Sequence, residues 1–122
     1  MGLFGKKGLS FAKIKLSDSK IGSDKNATIT VNIKNKEEKF EKIVLTTKTD
    51  DEKNQYLKID RPSILLPGLE FPNRNTGDHS ITITPFNIPL KKMQFKITIE
   101  VSANDVKKPM LKKEFSLTVN KK

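Results

Sequence analysis

Cysteine is absent from these 122 residues, so neither a disulfide nor a thiolate metal site can hold the fold together. Tryptophan is absent too, and histidine occurs once, at His79. Arginine is nearly missing: of 24 basic residues only Arg61 and Arg74 are arginines, and the rest are lysines. Arginine is the residue suited to bidentate reading of bases and phosphates, so this lysine excess argues against sequence-specific nucleic-acid recognition. Long apolar runs are missing as well. No window approaches the ~20 apolar residues of a membrane-spanning helix. A secretory signal needs an apolar run of ~7–15 residues, whereas Leu3-Phe4 is all the opening stretch offers. Lys6-Lys7 follows Gly2 where a myristoylation signal wants Ser or Thr. The expected location is therefore the cytoplasm.

What the chain does contain is alternation. Apolar residues make up 34% and charged residues 31%, a balance that would read as disorder if the apolar positions were scattered. They recur at every second residue instead, the period of a strand with one dry face. Ala12, Ile14 and Leu16 alternate with Lys13 and Lys15, and Ala27, Ile29, Val31 and Ile33 with Thr28, Thr30, Asn32 and Lys34. Ser17 to Asn26 reads as a polar connection between them. A third strand is expected from Phe40 to Thr49, where Ile43 and Leu45 oppose Val44, a pattern compatible with cover on both faces. A solvated turn at Asp50 to Asn54 leads to a short strand at Tyr56 to Ile59. Pro62, Pro67, Gly68 and Pro72 punctuate the next segment, and Pro67-Gly68 reads as the centre of a type II turn. After a second turn at Asn73 to Gly77, His79, Ile81 and Ile83 mark a strand that stops at Pro85.

The last two strands are the clearest. Met93, Phe95, Ile97, Ile99 and Val101 alternate with polar residues, as do Leu111, Phe115, Leu117 and Val119. Pairing Val101 with Leu111 makes a hairpin in which Glu100 faces Lys112 and Lys96 lies diagonal to Glu114. Lys113 falls on the inward parity, which calls for a β-bulge there or a lysine reaching out from the sheet rim. Seven strands without a helical segment imply an all-β, immunoglobulin-like antiparallel sandwich over residues 9–120, behind a flexible basic leader at residues 1–8. A closed barrel is the alternative.

Several short motifs resemble the small archaeal and bacterial immunoglobulin-like modules of the CARDB and NEW3 type. Ile64-Leu65-Leu66-Pro67-Gly68 is similar to their L-x-P-G turn, and Val31-Asn32-Ile33-Lys34-Asn35 to their V-x-V-x-N strand. The runs Ser80 to Pro85 and Met93 to Val101 resemble their later strands. The resemblance implies an adhesion or accessory domain that acts by contact, and it supplies no catalytic residue.

The residues themselves offer no catalytic set. Asp78, His79 and Ser80 are adjacent, but neighbours on a strand point to opposite faces, so they cannot converge as a triad. Glu37-Glu38 and Asp50-Asp51-Glu52 read as solvated acids, and the loop spacing of an EF-hand is absent. Gly5 to Gly8 lacks the strand and spacing of a phosphate loop. No cofactor is expected.

Charge points to partners instead. The formal net charge is +10, which draws a protein toward acidic surfaces. The candidate contacts for an anionic partner are Lys91, Lys92, Lys96, Lys107, Lys108, Lys112 and Lys113. The expected function is a non-enzymatic interaction module with a protein partner. One alternative is sequence-blind, lysine-driven nucleic-acid binding. Phe95 and Phe115 fall on the inward parity, which removes two of the stacking platforms that single-strand binders use. The other alternative is a weak membrane-surface contact through Leu3, Phe4, Lys6 and Lys7.

Overall fold

The computed structural model describes residues 8–36, 38–51, 53–104 and 108–122; of the leader expected at residues 1–8, residues 1–7 lie outside them, while Gly8 is buried and its carbonyl accepts from Lys36 N. Among the described residues nine strands follow in chain order: β1 (Leu9–Leu16), β2 (Lys20–Gly22), β3 (Ala27–Asn35), β4 (Ile43–Thr49), β5 (Leu57–Ile59), β6 (Ser63–Leu66), β7 (His79–Pro85), β8 (Lys92–Ala103) and β9 (Leu111–Asn120). They form a four-stranded sheet ordered β1-β3-β7-β5 and a five-stranded sheet ordered β2-β9-β8-β4-β6. Every pairing is antiparallel except the short β2–β9 contact. The fold is an immunoglobulin-like antiparallel sandwich rather than a barrel.

The alternation does the folding. Ala27, Ile29, Val31 and Ile33 on β3, with Ile81 and Ile83 on β7, are buried from one sheet. Phe95, Ile97, Ile99 and Val101 on β8, with Leu117 and Val119 on β9, are buried from the other. Facing the two apolar sets across one interlayer removes both from water, worth roughly 1.5–3 kcal/mol for each large side chain. The hairpin runs in one unbroken register from Lys92↔Asn120 to Val101↔Leu111.

Four expectations need correction, and the alternative left open at Lys113 is decided. Ala12 does not face the core: the β1–β3 register shifts between Phe11 and Lys13, so Phe11 takes the inward place opposite Ile33 and Ala12 is exposed. No bulge relieves Lys113, which stays in register opposite Ile99 and reaches out, its ammonium 5.7 Å from the Phe115 ring centroid. The connections at Ser17 to Asn26 and around Pro62 to Pro67 each contain a strand, β2 and β6, too short to show a period. Pro67-Gly68 is not a type II turn, because Gly77 is the one described glycine with positive φ. Gly68 is required by proximity instead: a Cβ there would sit 2.8 Å from the Glu41 carbonyl oxygen. The strand expected from Phe40 begins at Ile43 and buries one face, with Phe40 held apart as a bridge to Leu69.

Two polar side chains in the interior have opposite fates. Asn35, 1% exposed at the end of β3, donates through Nδ2 to the carbonyls of Glu38 (2.6 Å) and Phe71 (2.8 Å), and its Oδ1 accepts from Arg74 N (2.8 Å). One residue thus ties two loops to the sheet. Thr47 on β4 is 5% exposed, and its Oγ1 has no hydrogen-bond partner among the described residues. It lies in the floor of a cleft of about 550 Å³ with Leu57, Ile59 and Phe86.

Removing a fully bonded side chain and removing an unbonded hydroxyl should therefore move stability in opposite directions. Asn35→Ala is expected to lower unfolding free energy by about 3 kcal/mol, because it strands several part-buried backbone groups. Thr47→Val keeps the shape and deletes the orphan oxygen, and should raise stability by about 1 kcal/mol. Urea midpoints at unchanged m-value read both, and a Thr47→Val variant that is less stable than wild type contradicts the assignment.

Candidate functional site

The lysines singled out by sequence do not form one surface. Lys91 and Lys92 sit at the start of β8, beside the end of β9, where Lys121 N donates to Lys91 O and Lys92 pairs with Asn120. Lys112 and Lys113 sit at the other end of the hairpin, and Lys108 precedes them across the turn. Glu100, the residue facing Lys112, lies eight positions along β8 from Lys92. That is roughly 27 Å at the rise of a strand. Lys96 lies between, outward, opposite Ser116. Lys107 lies outside the described residues. Acids interrupt the face as well: Glu100 bonds Lys48 of β4 at 2.9 Å, rather than the Lys112 that faces it, and Glu114 is exposed.

Three of the acids singled out by sequence, Asp50, Asp51 and Asp78, are structural fasteners. Asp51 accepts from the backbone N–H groups of Gln55, Tyr56 and Leu57 at 2.9–3.1 Å, which folds the turn ahead of β5. Asp50 Oδ1 accepts from Lys96 N at 3.0 Å. Glu37 and Glu52 lie outside the described residues. His79 Nε2 contacts Thr76 O at 3.1 Å, while Asp78 bonds Lys13 Nζ (3.1 Å) and Asn32 Nδ2 (2.9 Å). Asp78, His79 and Ser80 therefore do not converge.

How the sheet edges end is more informative. An edge exposes backbone donors and acceptors to any passing strand, and proteins blunt edges by shortness, bulges, charges or cover. Edge strands β2, β5 and β6 have three, three and four residues. β1 is longer, but it is bulged at Ala12 and carries Lys13 and Lys15. Where β7 runs past β5, Asp60 covers it: its N–H donates to Thr82 O, its Oδ1 accepts from Thr82 N, and the Arg61 guanidinium donates to Ser80 O. Where β3 runs past β7, Thr76 and Arg74 do the same for Ile33 and Asn35.

The β9 edge has no such cover among the described residues. β2 pairs with it only at Thr118 to Asn120, leaving Leu111 to Leu117 unpaired on that side. Thr118 N donates to Ser19 O, away from β8, whereas Lys121 N donates to Lys91 O of the β8 side. The alternation of an antiparallel strand then turns the N–H and C=O groups of Lys112, Glu114 and Ser116 outward. Beside this edge the sandwich is incompletely closed: Phe11, Ile14 and Leu16 on β1, with Leu111 and Phe115 on β9, pack on the core yet remain half-exposed. Lys112 and Lys113 were legible in the sequence. Glu114 and Ser116 were not, because their exposure follows from how little of β9 the three-residue β2 covers.

Asp78 carries the one resolved shift among the described carboxylates. Hydrogen bonds from Asn32 and then Lys13 hold it below the ordinary 3.8 of an aspartate, against a smaller opposing effect of burial. A lowered folded pKa means the contribution is complete above the unfolded value and is lost as pH falls through the folded one. Asp78→Asn should therefore lower the melting temperature modestly near neutrality, where the contribution is complete, and approach wild type as pH falls below ~4, so that its acid limb is flatter. An unchanged acid limb contradicts it.

No protein-family model matches the sequence, and no curated protein is significantly similar to it. Solved structures do share its architecture. The class 5 fimbriae chaperone CfaA matches 91% of this chain at a TM-score of 0.52 and 12% identity, and the periplasmic chaperone SfaE matches 89% at 0.50 and 8%. This chain spans 54% and 56% of those two chains, about half their length. WR4, a C. elegans member of the MSP family, matches 89% of this chain and 97% of its own at a TM-score of 0.48 and 13% identity. At these identities the likeness is one of fold, the immunoglobulin-like sandwich.

Proposed function

We propose that this domain is a non-enzymatic protein-binding module that takes an extended segment of its partner onto the free edge of β9. The observation that carries the reading is the run from Leu111 to Leu117, unpaired on this side among the described residues, beside half-exposed Phe11, Ile14 and Phe115. Backbone bonds along Lys112, Glu114 and Ser116 would supply affinity, and alternate side chains of the added strand would reach the apolar gap. The sandwich likeness to two chaperones agrees with a role in holding protein, as does the resemblance to CARDB and NEW3 modules, whose membership stays part of the proposal. Nucleic-acid binding has less support: the lysines are divided between two ends, and Phe95 is buried.

Proline tests the edge. At position 114 it removes a donor that faces outward, a place where edge strands tolerate it. Glu114→Pro is expected to melt within a few degrees of wild type yet to lose the proteins that immobilised wild-type domain retains from host extract. Equal retention by the two baits contradicts the reading.

A further inference from the structure

The same edge is complementary to itself. We infer that two copies of this chain pair through their β9 edges, antiparallel, about a two-fold axis at Lys113, with Lys112 of each copy opposite Glu114 of the other. This rests on the edge reading and names its partner as a second copy.

The register follows from three constraints. First, the outward backbone groups belong to Lys112, Glu114 and Ser116, so an antiparallel pairing must set even-numbered residues against even-numbered ones. That places the axis on a residue, not between two. Second, the paired stretch must end before Thr118, which is bonded to Ser19. An axis at residue 112, 113 or 114 satisfies this. Third, charge chooses among them. An axis at Lys112 sets that lysine against its own copy, and one at Glu114 sets glutamate against glutamate. Only the axis at Lys113 brings Lys112 against Glu114 twice on the outer face, each pair exchanging both N–H···O bonds. Lys112 and Glu114 are exposed and have no ion pair or hydrogen-bond partner among the described residues, so both are available. On the other face the same register sets Leu111 against Phe115 of the second copy, two half-exposed apolar side chains. Self-complementarity of this kind is what a closed two-fold interface requires.

One element opposes the pairing. Lys113 meets its own copy on the axis, each ammonium resting over its own Phe115 ring. The sandwiches also carry a formal net charge of +10 apiece. The dimer is accordingly weak, and Lys113→Thr, which removes the central repulsion and keeps a strand-forming residue, should tighten it.

Sedimentation velocity over a concentration series tests the register by charge exchange. Lys112→Glu alone and Glu114→Lys alone each replace two attractive pairs by two repulsive ones, and each should weaken self-association about tenfold or more. An equimolar mixture of the two single variants restores two opposite-charge pairs and should associate at least as tightly as wild type, as should the double variant K112E/E114K. Circular dichroism checks that each variant keeps the wild-type spectrum. A wild-type chain that is monomeric at its highest soluble concentration overturns the inference. So does a mixture that associates no better than either variant alone, or a Lys113→Thr chain that dimerises less well. These outcomes leave the edge reading standing if Glu114→Pro still loses captured partners; loss of that result as well removes both.

Discussion

A sheet edge is a row of backbone donors and acceptors that must find water, side chains or another strand, and this sandwich is organised by how each of its edges is closed. Three edge strands are only a few residues long. The fourth, β1, is bent by the Ala12 bulge. Inner strands that outrun their neighbours are sealed by Asp60 and Arg61 on β7 and by Arg74 and Thr76 on β3. β9 stands apart because its neighbour β2 meets only its last three residues. The open stretch is a property of connectivity: the chain leaves β1 in one sheet and touches the other just briefly before turning into β3.

Period-two patterning predicted the parts of this fold that have one dry face and enough length to show it. The β8–β9 register was readable because Val101 and Leu111 bracket a short connection, and every polar position between Leu111 and Val119 except Lys113 then falls on the outward parity. Ala12 was misread because a bulge inverts parity inside a strand, and the sequence around it, Phe11-Ala12-Lys13, alternates equally well in either phase. β2 and β6 stayed invisible because three or four residues carry no period, and the prolines flanking β6 look like turn punctuation. Gly68 resembled a turn glycine for the same reason, although the carbonyls of Phe40 and Glu41 are what exclude a side chain there.

The candidate site was half legible. Lysine count drew attention to Lys112 and Lys113, yet the charge that motivated the choice turned out to be spread over both ends of the hairpin. Glu100 is taken by Lys48, a partnership across β4 that no pairing of the last two strands could have revealed. What distinguishes Lys112, Glu114 and Ser116 is the direction of their main-chain groups, and that depends on which strand lies beside them. On the β1 edge Lys13 and Lys15 fit the charge by which sheet edges avoid unwanted pairing, and the pairing proposed at β9 turns on the order of Lys112 and Glu114.

Amide hydrogen exchange at single-residue resolution, on dilute protein, tests the open edge most directly. The amides of Lys112, Glu114 and Ser116 should exchange fast, and those of Lys113, Phe115 and Leu117, bonded to β8, slowly, a sawtooth along one strand. Uniform protection from 111 to 117 would mean that something already occupies this edge, and the account would be wrong.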